Sequence, residues 1–264
     1  MAQAGPPGAH PSAVVAAERA FAADGLALGI KRSFLKHAAP EAIVLAPDPV
    51  KVSEFYGAKP DEAHPPLVWW PLWAAIARSG DLGFTSGPAT FGGKPSGWFF
   101  TVWARQPDGG WKWIYDGGAP SDHSAAAPQG STPVYLAPAT GPAVDAKAAM
   151  AAVHDAEASL AKAAATDAKA AYLAVLAPDA RLTGSRSAPA ATPEAVRAEL
   201  ARRAPAIGFK PLGGRASQGG DLAWTYGEAA WDGGRGHYVR AWRSGAEGWR
   251  LVYDQILPVA EPRS

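Results

Sequence analysis

The sequence predicts an α+β fold built as two tandem copies of one small domain. Three observations predict it. Blocks of the first half recur in the second at offsets of 138 to 140: Glu18 as Glu157, Phe34-Leu35 as Tyr172-Leu173, Gly80-Asp81-Leu82 as Gly220-Asp221-Leu222, Trp103 as Trp242, and Trp111-Lys112-Trp113 as Trp249-Arg250-Leu251. Each copy opens with helical patterning and closes with strand-like runs separated by turn residues. That order places helices on one face of a curved antiparallel sheet. With 264 residues the chain has room for two domains, and a repeat this long excludes solenoids and propellers.

In the first copy, Ala13 to Leu28 reads as a helix, with Val14, Phe21 and Leu28 near helical spacing. Gly25 and Gly29 predict a break before Ile30, after which helix resumes to His37 and stops at Pro40. Ile43-Val44-Leu45 is a short strand and Val52 to Tyr56 a helical turn. Strands are expected over Leu67 to Ile76, interrupted around Trp70-Pro71, and over Gly83 to Phe91, Trp98 to Arg105 and Trp111 to Asp116. The last two are joined by the hairpin loop Gln106 to Gly110.

The second copy opens with a longer helix, Asp145 to about Ala165. Asp167 caps another through Leu176, ended by Pro178. Thr192 and Pro193 mark the start of a third, to Arg203. Strands follow at Ile207–Pro211, Arg215–Gln218, Leu222–Trp231, Gly236–Arg243 and Trp249–Ile256. The resulting organisation is a disordered segment 1–11, a first domain 12–120, a Pro/Gly/Ala-rich linker 121–143 in which Thr132 to Leu136 can add a strand, a second domain 144–258 and a tail 259–264.

Composition narrows the function. The 48% hydrophobic content overstates core-forming power because much of it is Ala; the large apolar mass is aromatic, above all the 11 Trp. A formal charge of +1 with no basic block argues against nucleic acid as a partner. No stretch is long and apolar enough to span a bilayer. Cys is absent, which excludes thiolate and disulfide chemistry. The start of the chain lacks a signal peptide's basic and apolar regions and has the look of a mature exported protein, so a bacterial periplasmic (or secreted) location is expected, with the cytoplasm as the alternative.

The hairpins Phe99 to Lys112 and Gly236 to Asp254, the strand Gly-Asp-Leu-x-x-Thr-x-Gly of each copy and the leading amphipathic helix resemble nuclear transport factor 2-like domains, in particular the SnoaL-like and calmodulin-dependent-kinase association-domain branch. The resemblance covers nearly all of each copy. It implies a cone-shaped domain, a bent sheet wrapped around a helix with a pocket at the open end, and an internal pseudo-dimer of the two copies. Function does not follow from it, because the superfamily hosts isomerases, dehydratases, cyclases, epoxide hydrolases and binding or assembly modules.

Candidate site residues come from the strands. Tyr238, Arg240 and Trp242 share one face. By resemblance to the association domains, Arg240 is a pocket arginine that clamps a carboxylate; otherwise it is a surface arginine whose stem packs on Trp242. The first copy has Thr101 at this position. Tyr115-Asp116 and Tyr253-Asp254 end the last strand of each copy. Asp116 and Asp254 are either general bases or, on the reading the residues favour, acceptors of structural hydrogen bonds from backbone or an arginine.

Glu18 and Glu157 either look into the cone or are solvated. Tyr56, Trp69, Trp73, Tyr172 and Tyr226 line pockets or build core. The histidines His37, His64, His154 and His237 show no ligand spacing, Gly92-Gly93 and Gly233-Gly234 belong to hairpin turns, and Ser185 and Ser187 lack a nucleophile elbow; no metal and no cofactor is expected.

Three readings follow: a binding protein for a small, partly apolar and anionic ligand; an isomerase-, cyclase- or dehydratase-type enzyme with Asp254 or Asp116 as base and Tyr226, Tyr238 or Tyr253 donating to an oxyanion; and a self-associating assembly module.

Overall fold

The structure, a computed structural model, describes residues 9–121, 123, 125–184 and 188–260. Ser185 and Ser187, most of the N-terminal segment and most of the C-terminal tail lie outside the described residues. The chain divides into two compact units, Met1–Ala137 and Pro138–Ser264.

In the first unit α1 (Ser12–Leu28) runs through Gly25 and ends at Gly29, whose φ of 81° is open to glycine alone at little cost. Helix α2 (Ile30–His37) follows. The chain turns straight into β1 (Ala38–Leu45), earlier than the pattern predicts, because the residue before Pro40 is held out of the helical region. Next come β2 (Pro49–Lys51), α3 (Val52–Gly57), β3 (Leu67–Trp69) and β4 (Trp73–Ile76), the last two separated by Trp70-Pro71-Leu72. The long strands β5 (Leu82–Phe91), β6 (Lys94–Arg105) and β7 (Trp111–Ala119) form the meander, and β8 (Val134–Tyr135) adds to β4. Sheet order is β2-β1-β7-β6-β5-β4-β8, with β3 also on β5 and β1 parallel to β7. Helix α1 lies against β3, β4, β5 and β7 and buries Val14, Val15, Glu18 and Phe21.

The second unit repeats this plan. Helix α4 (Ala146–Ala164) is capped by Asp145, α5 (Ala168–Val175) by Asp167 and α6 (Pro193–Arg202) by Thr192, each side chain accepting a backbone N–H of the first turn. Strand β9 (Leu176–Thr183) directly follows α5 and runs parallel to β13; sequence periodicity misses it because Pro178 reads as a helix stop. The expected pair of strands around residue 212 is one strand, β10 (Gly208–Ala216), with an irregularity between Pro211 and Gly213. Pro211 is tolerated there because β10 is the edge of the sheet. The remainder are β11 (Leu222–Trp231), β12 (Gly234–Gly245) and β13 (Gly248–Pro258), in the order β10-β11-β12-β13-β9.

Both meanders carry a register shift at the same place, between Val102 and Trp103 and between Ala241 and Trp242. Bulges of this kind bend a sheet and increase its twist. Helix α1 packs on β7 and α4 on β13, and the Trp103 and Trp242 indoles beside the bulges reach Glu18 and Glu157 of the first helices.

Candidate functional site

Each domain is organised around one buried carboxyl from its first helix. Glu18 is wholly buried; its Oε1 accepts the Trp69 indole N–H at 2.6 Å and its Oε2 the Trp103 indole N–H at 3.1 Å. The Thr85 hydroxyl donates to the same Oε2. In the second domain Glu157 Oε1 accepts from Trp242 at 3.0 Å and from Thr225 at 2.5 Å. These glutamates therefore face inward, and Thr85 and Thr225, which sequence reasoning passed over, complete the motif. Both threonines sit inside the repeated Gly-Asp-Leu-x-x-Thr block, which is the signal that finds them.

The domains differ one layer further out. In the second, Arg240 is fully buried, donating Nε to Asp254 Oδ1 at 2.7 Å, Nη1 to Glu157 Oε2 at 2.5 Å and Nη2 to the Tyr172 hydroxyl at 2.9 Å. Its guanidinium lies over the rings of Tyr238 and Phe209, 4.0 and 4.1 Å from their centroids. Arg203, from the end of α6, donates to Asp254 Oδ2 at 2.5 Å and to the Thr183 carbonyl at 3.1 Å. Tyr172 donates to Asp254 Oδ1 at 3.1 Å. Burial alone would raise the Asp254 pKa, but the two guanidiniums reverse this and hold it below the ordinary carboxylate range. Burial likewise raises the Tyr172 hydroxyl to about 12.

Arg240 is thus neither the surface arginine nor one reaching into an open pocket: it is enclosed by its own domain's carboxylates and rings. Tyr253 hydrogen-bonds Thr183 and Gln255, and Tyr226 stacks on Trp224 with centroids 5.3 Å apart. A hollow of about 170 Å³ bounded by Glu199, Arg202, Arg203, Ile207, Trp231 and Ile256 meets this network only at Arg203, and Asp254, Arg240, Tyr172, Tyr226, Tyr238, Trp242 and Tyr253 do not line it.

In the first domain the same region is open. A cavity of about 430 Å³ is lined by Phe34, Phe55, Tyr56, Trp69, Trp98 and Phe99, with Asp116 in its wall and smaller residues between. Thr101, where the second domain has Arg240, is buried and does not itself line the cavity; its hydroxyl donates to Asp116 Oδ1 at 2.6 Å. With no arginine beside it, Asp116 is pushed by burial, and further by the Glu18 carboxyl, up to about 8, against the lowering effect of the Thr101 bond. Burial also raises Glu18, and it raises Tyr56, to which the Asp116 charge adds. Trp73 is not a wall residue: it is core, its ring 4.7 Å from Phe84. Tyr115 is buried in the strand beside Asp116. Phe34, Phe55, Trp98 and Phe99, four of the principal walls, are absent from the sequence-based candidates, because aromatic residues in core and pocket follow the same periodicity.

No group of three or more His, Asp or Glu that could hold a metal occurs among the described residues. Among the described residues, no helix is long and apolar enough to cross a membrane.

The α+β fold of a single domain is similar to solved structures of the nuclear transport factor 2-like kind. One is a nuclear transport factor 2-like protein of unknown function from Pseudomonas putida, 14% identical, covering 45% of this chain and 92% of that one with a TM-score of 0.37. Another is a ketosteroid isomerase-like protein from Erwinia carotovora atroseptica, 15% identical, covering 42% and 96% with a TM-score of 0.35. A third is a protein of unknown function with a cystatin-like fold from Nostoc punctiforme, 15% identical, covering 42% and 92% with a TM-score of 0.36. In each case the share of this chain is that of one domain. No family model matches the chain, and no curated protein matches it.

Proposed function

We propose that the chain binds a small, largely apolar molecule in the cavity of its first domain, and that the second domain is a packed partner without a working pocket. The observation that carries this reading is the contrast between a cavity of about 430 Å³ in one copy and the Arg240 network filling the matching region of the other. The volume lies within the range of small-molecule sites, and the walls combine aromatic surface with a few polar groups as such sites do.

A second reading, an isomerase-, cyclase- or dehydratase-type enzyme, draws support from Asp116 alone. A wall carboxyl whose pKa is pushed up to about 8 takes and returns protons near neutral pH. An assembly role, in contrast, predicts a mass that rises with concentration.

Titration of the full chain with the neutral dye phenylnaphthylamine tests the binding reading. Fluorescence should rise to saturation in the wild type. Ser96→Trp, which places an indole at the rim from a residue lining the cavity, should weaken dye binding about tenfold or more. Dye uptake that is absent, or unchanged by this substitution, would remove the cavity from consideration. Turnover of any isomerase or dehydratase substrate, lost in Asp116→Asn, would move the conclusion to the second reading.

A further inference from the structure

The charge inventory of the open cavity is one-sided. No Lys, Arg or His is among its lining residues, while six aromatic rings and the Asp116 carboxyl are. Ring faces carry negative potential. Glu18 stands behind Trp69, and neither Glu18 nor Asp116 has an ion-pair partner among the described residues. At the rim, the Lys59 ammonium already rests 3.4 Å from the centroid of the Phe55 ring. Past Lys59, an anion inside this space would meet the Asp116 carboxyl and negative ring faces and no lining cation, which counts against the anionic ligand that Arg240 led the sequence to predict.

The second domain shows what such a shell holds. Around the Arg240 guanidinium stand Tyr172, Phe209, Tyr238 and Asp254. Strand register and the repeat make Phe34, Trp69, Phe99 and Asp116 their first-domain counterparts: Arg240 pairs with Asp254 as Thr101 pairs with Asp116, and Phe209 pairs with Ala229 as Trp69 pairs with Ala89. All four counterparts line the cavity. One copy has the shell with a covalently attached organic cation inside; the other has the shell with the cation-bearing side chain replaced by threonine.

The geometry points to an organic ammonium ion with an apolar body as the ligand of the first-domain cavity, seated where the second domain holds the Arg240 guanidinium. This rests on the binding reading above and specifies its ligand class. Weakly hydrated cations lose little on leaving water and gain from aromatic faces, the arrangement that recognises quaternary ammonium groups. The groups facing Asp116 are Glu18 from α1, Tyr56 from α3 and the Thr101 hydroxyl from β6, none of them cationic. A bound cation therefore favours the Asp116 carboxylate, and binding below neutral pH releases a proton. Apparent affinity should rise with pH, by up to about tenfold per unit below the Asp116 pKa.

The test is displacement of phenylnaphthylamine by three probes of similar size: phenyltrimethylammonium, its uncharged isostere tert-butylbenzene, and benzoate. The cation is expected to bind the wild type about tenfold or more tighter than tert-butylbenzene, and benzoate least well. In Asp116→Asn the cation's advantage and its pH dependence should fall, while tert-butylbenzene affinity, which also reports an intact fold, stays the same. Equal affinity for cation and isostere, a preference for benzoate, or an advantage unaffected by Asp116→Asn would overturn the proposal while leaving a working pocket in place. Failure of the dye itself to bind would instead remove the binding reading beneath it.

Discussion

Asp116 in β7 and Asp254 in β13 occupy matching positions of their respective domains, yet their pKa values are displaced in opposite directions. Asp254 sits between two guanidiniums and is held below the ordinary carboxylate range; Asp116 has a threonine and a second carboxyl for neighbours and is pushed up to about 8. The side chain across the strand pair, Arg240 in one domain and Thr101 in the other, sets the difference.

Removing Arg240 should damage the second domain severely. Arg240→Met leaves Glu157 buried without its cation and Asp254 with only Arg203, and breaking a buried ion pair from one side costs about 3–5 kcal/mol. Urea denaturation of the full chain should show a transition shifted by that amount.

The two helix glutamates should respond unequally to neutralisation. Glu18→Gln keeps one carbonyl oxygen, which can serve either the Trp69 bond or the Trp103 and Thr85 bonds, and removes no ion pair, so the loss should be about 1 kcal/mol. Glu157→Gln uncouples Arg240 and should cost several times more, about 3 kcal/mol. Equal losses in thermal denaturation would contradict this account of the difference.

Stability should depend on pH with opposite sign in the two domains. Asp254 has a folded pKa below its unfolded one, so its contribution is present above the ordinary carboxylate pKa and is lost as pH falls through the folded value. Asp116 has a folded pKa of about 8, so between the ordinary carboxylate range and that value the folded state holds a proton the unfolded state has released. Its contribution therefore falls as pH rises through this window. Melting of wild type and Asp116→Asn from about pH 5 to about pH 9 checks the second statement: the variant, which cannot titrate there, should lose less stability on the alkaline side.

Gly25→Ala should destabilise, although alanine is the better helix former by about 1 kcal/mol. A Cβ at Gly25 would lie 2.6 Å from the Trp69 ring, and Trp69 is bonded to Glu18 and walls the cavity. Overpacking of this kind costs about 1–3 kcal/mol, and dye binding should weaken with it.

Much of this architecture is legible in the amino-acid order, and the reasons differ by feature. The repeat, the caps at Asp167 and Thr192 and the meander strands are local patterns, and local patterns read well. The parallel strand Leu176–Thr183 does not, because Pro178 near its start imitates a helix stop and its partner lies far along the chain. The pairing of Glu18 with Glu157 and of Asp116 with Asp254 is visible, as is the change from Arg240 to Thr101. What Arg240 does is not visible, because its outcome depends on Glu157 from a helix and on Asp254 from the neighbouring strand. Arg203 escapes notice for the same reason: it approaches Asp254 from the end of α6, a contact that no spacing encodes. The cavity is a property of volume, walled by Trp69 and its aromatic neighbours, and periodicity carries no volume.

The closed charge network of the second domain also has a consequence for descent by mutation. Its carboxylates and guanidiniums stabilise one another, so replacing any single member strands a charge in the interior, and a lineage would have to cross that valley before an empty hollow appeared. The first domain is under a lighter constraint, since most of its wall residues are uncharged rings packed on one another, as Phe34 is on Tyr56, and substitutions such as Phe to Leu or Tyr to Phe reshape the space without stranding a charge. Of two halves sharing one plan, one is locked by electrostatics and the other is free to drift towards new molecules.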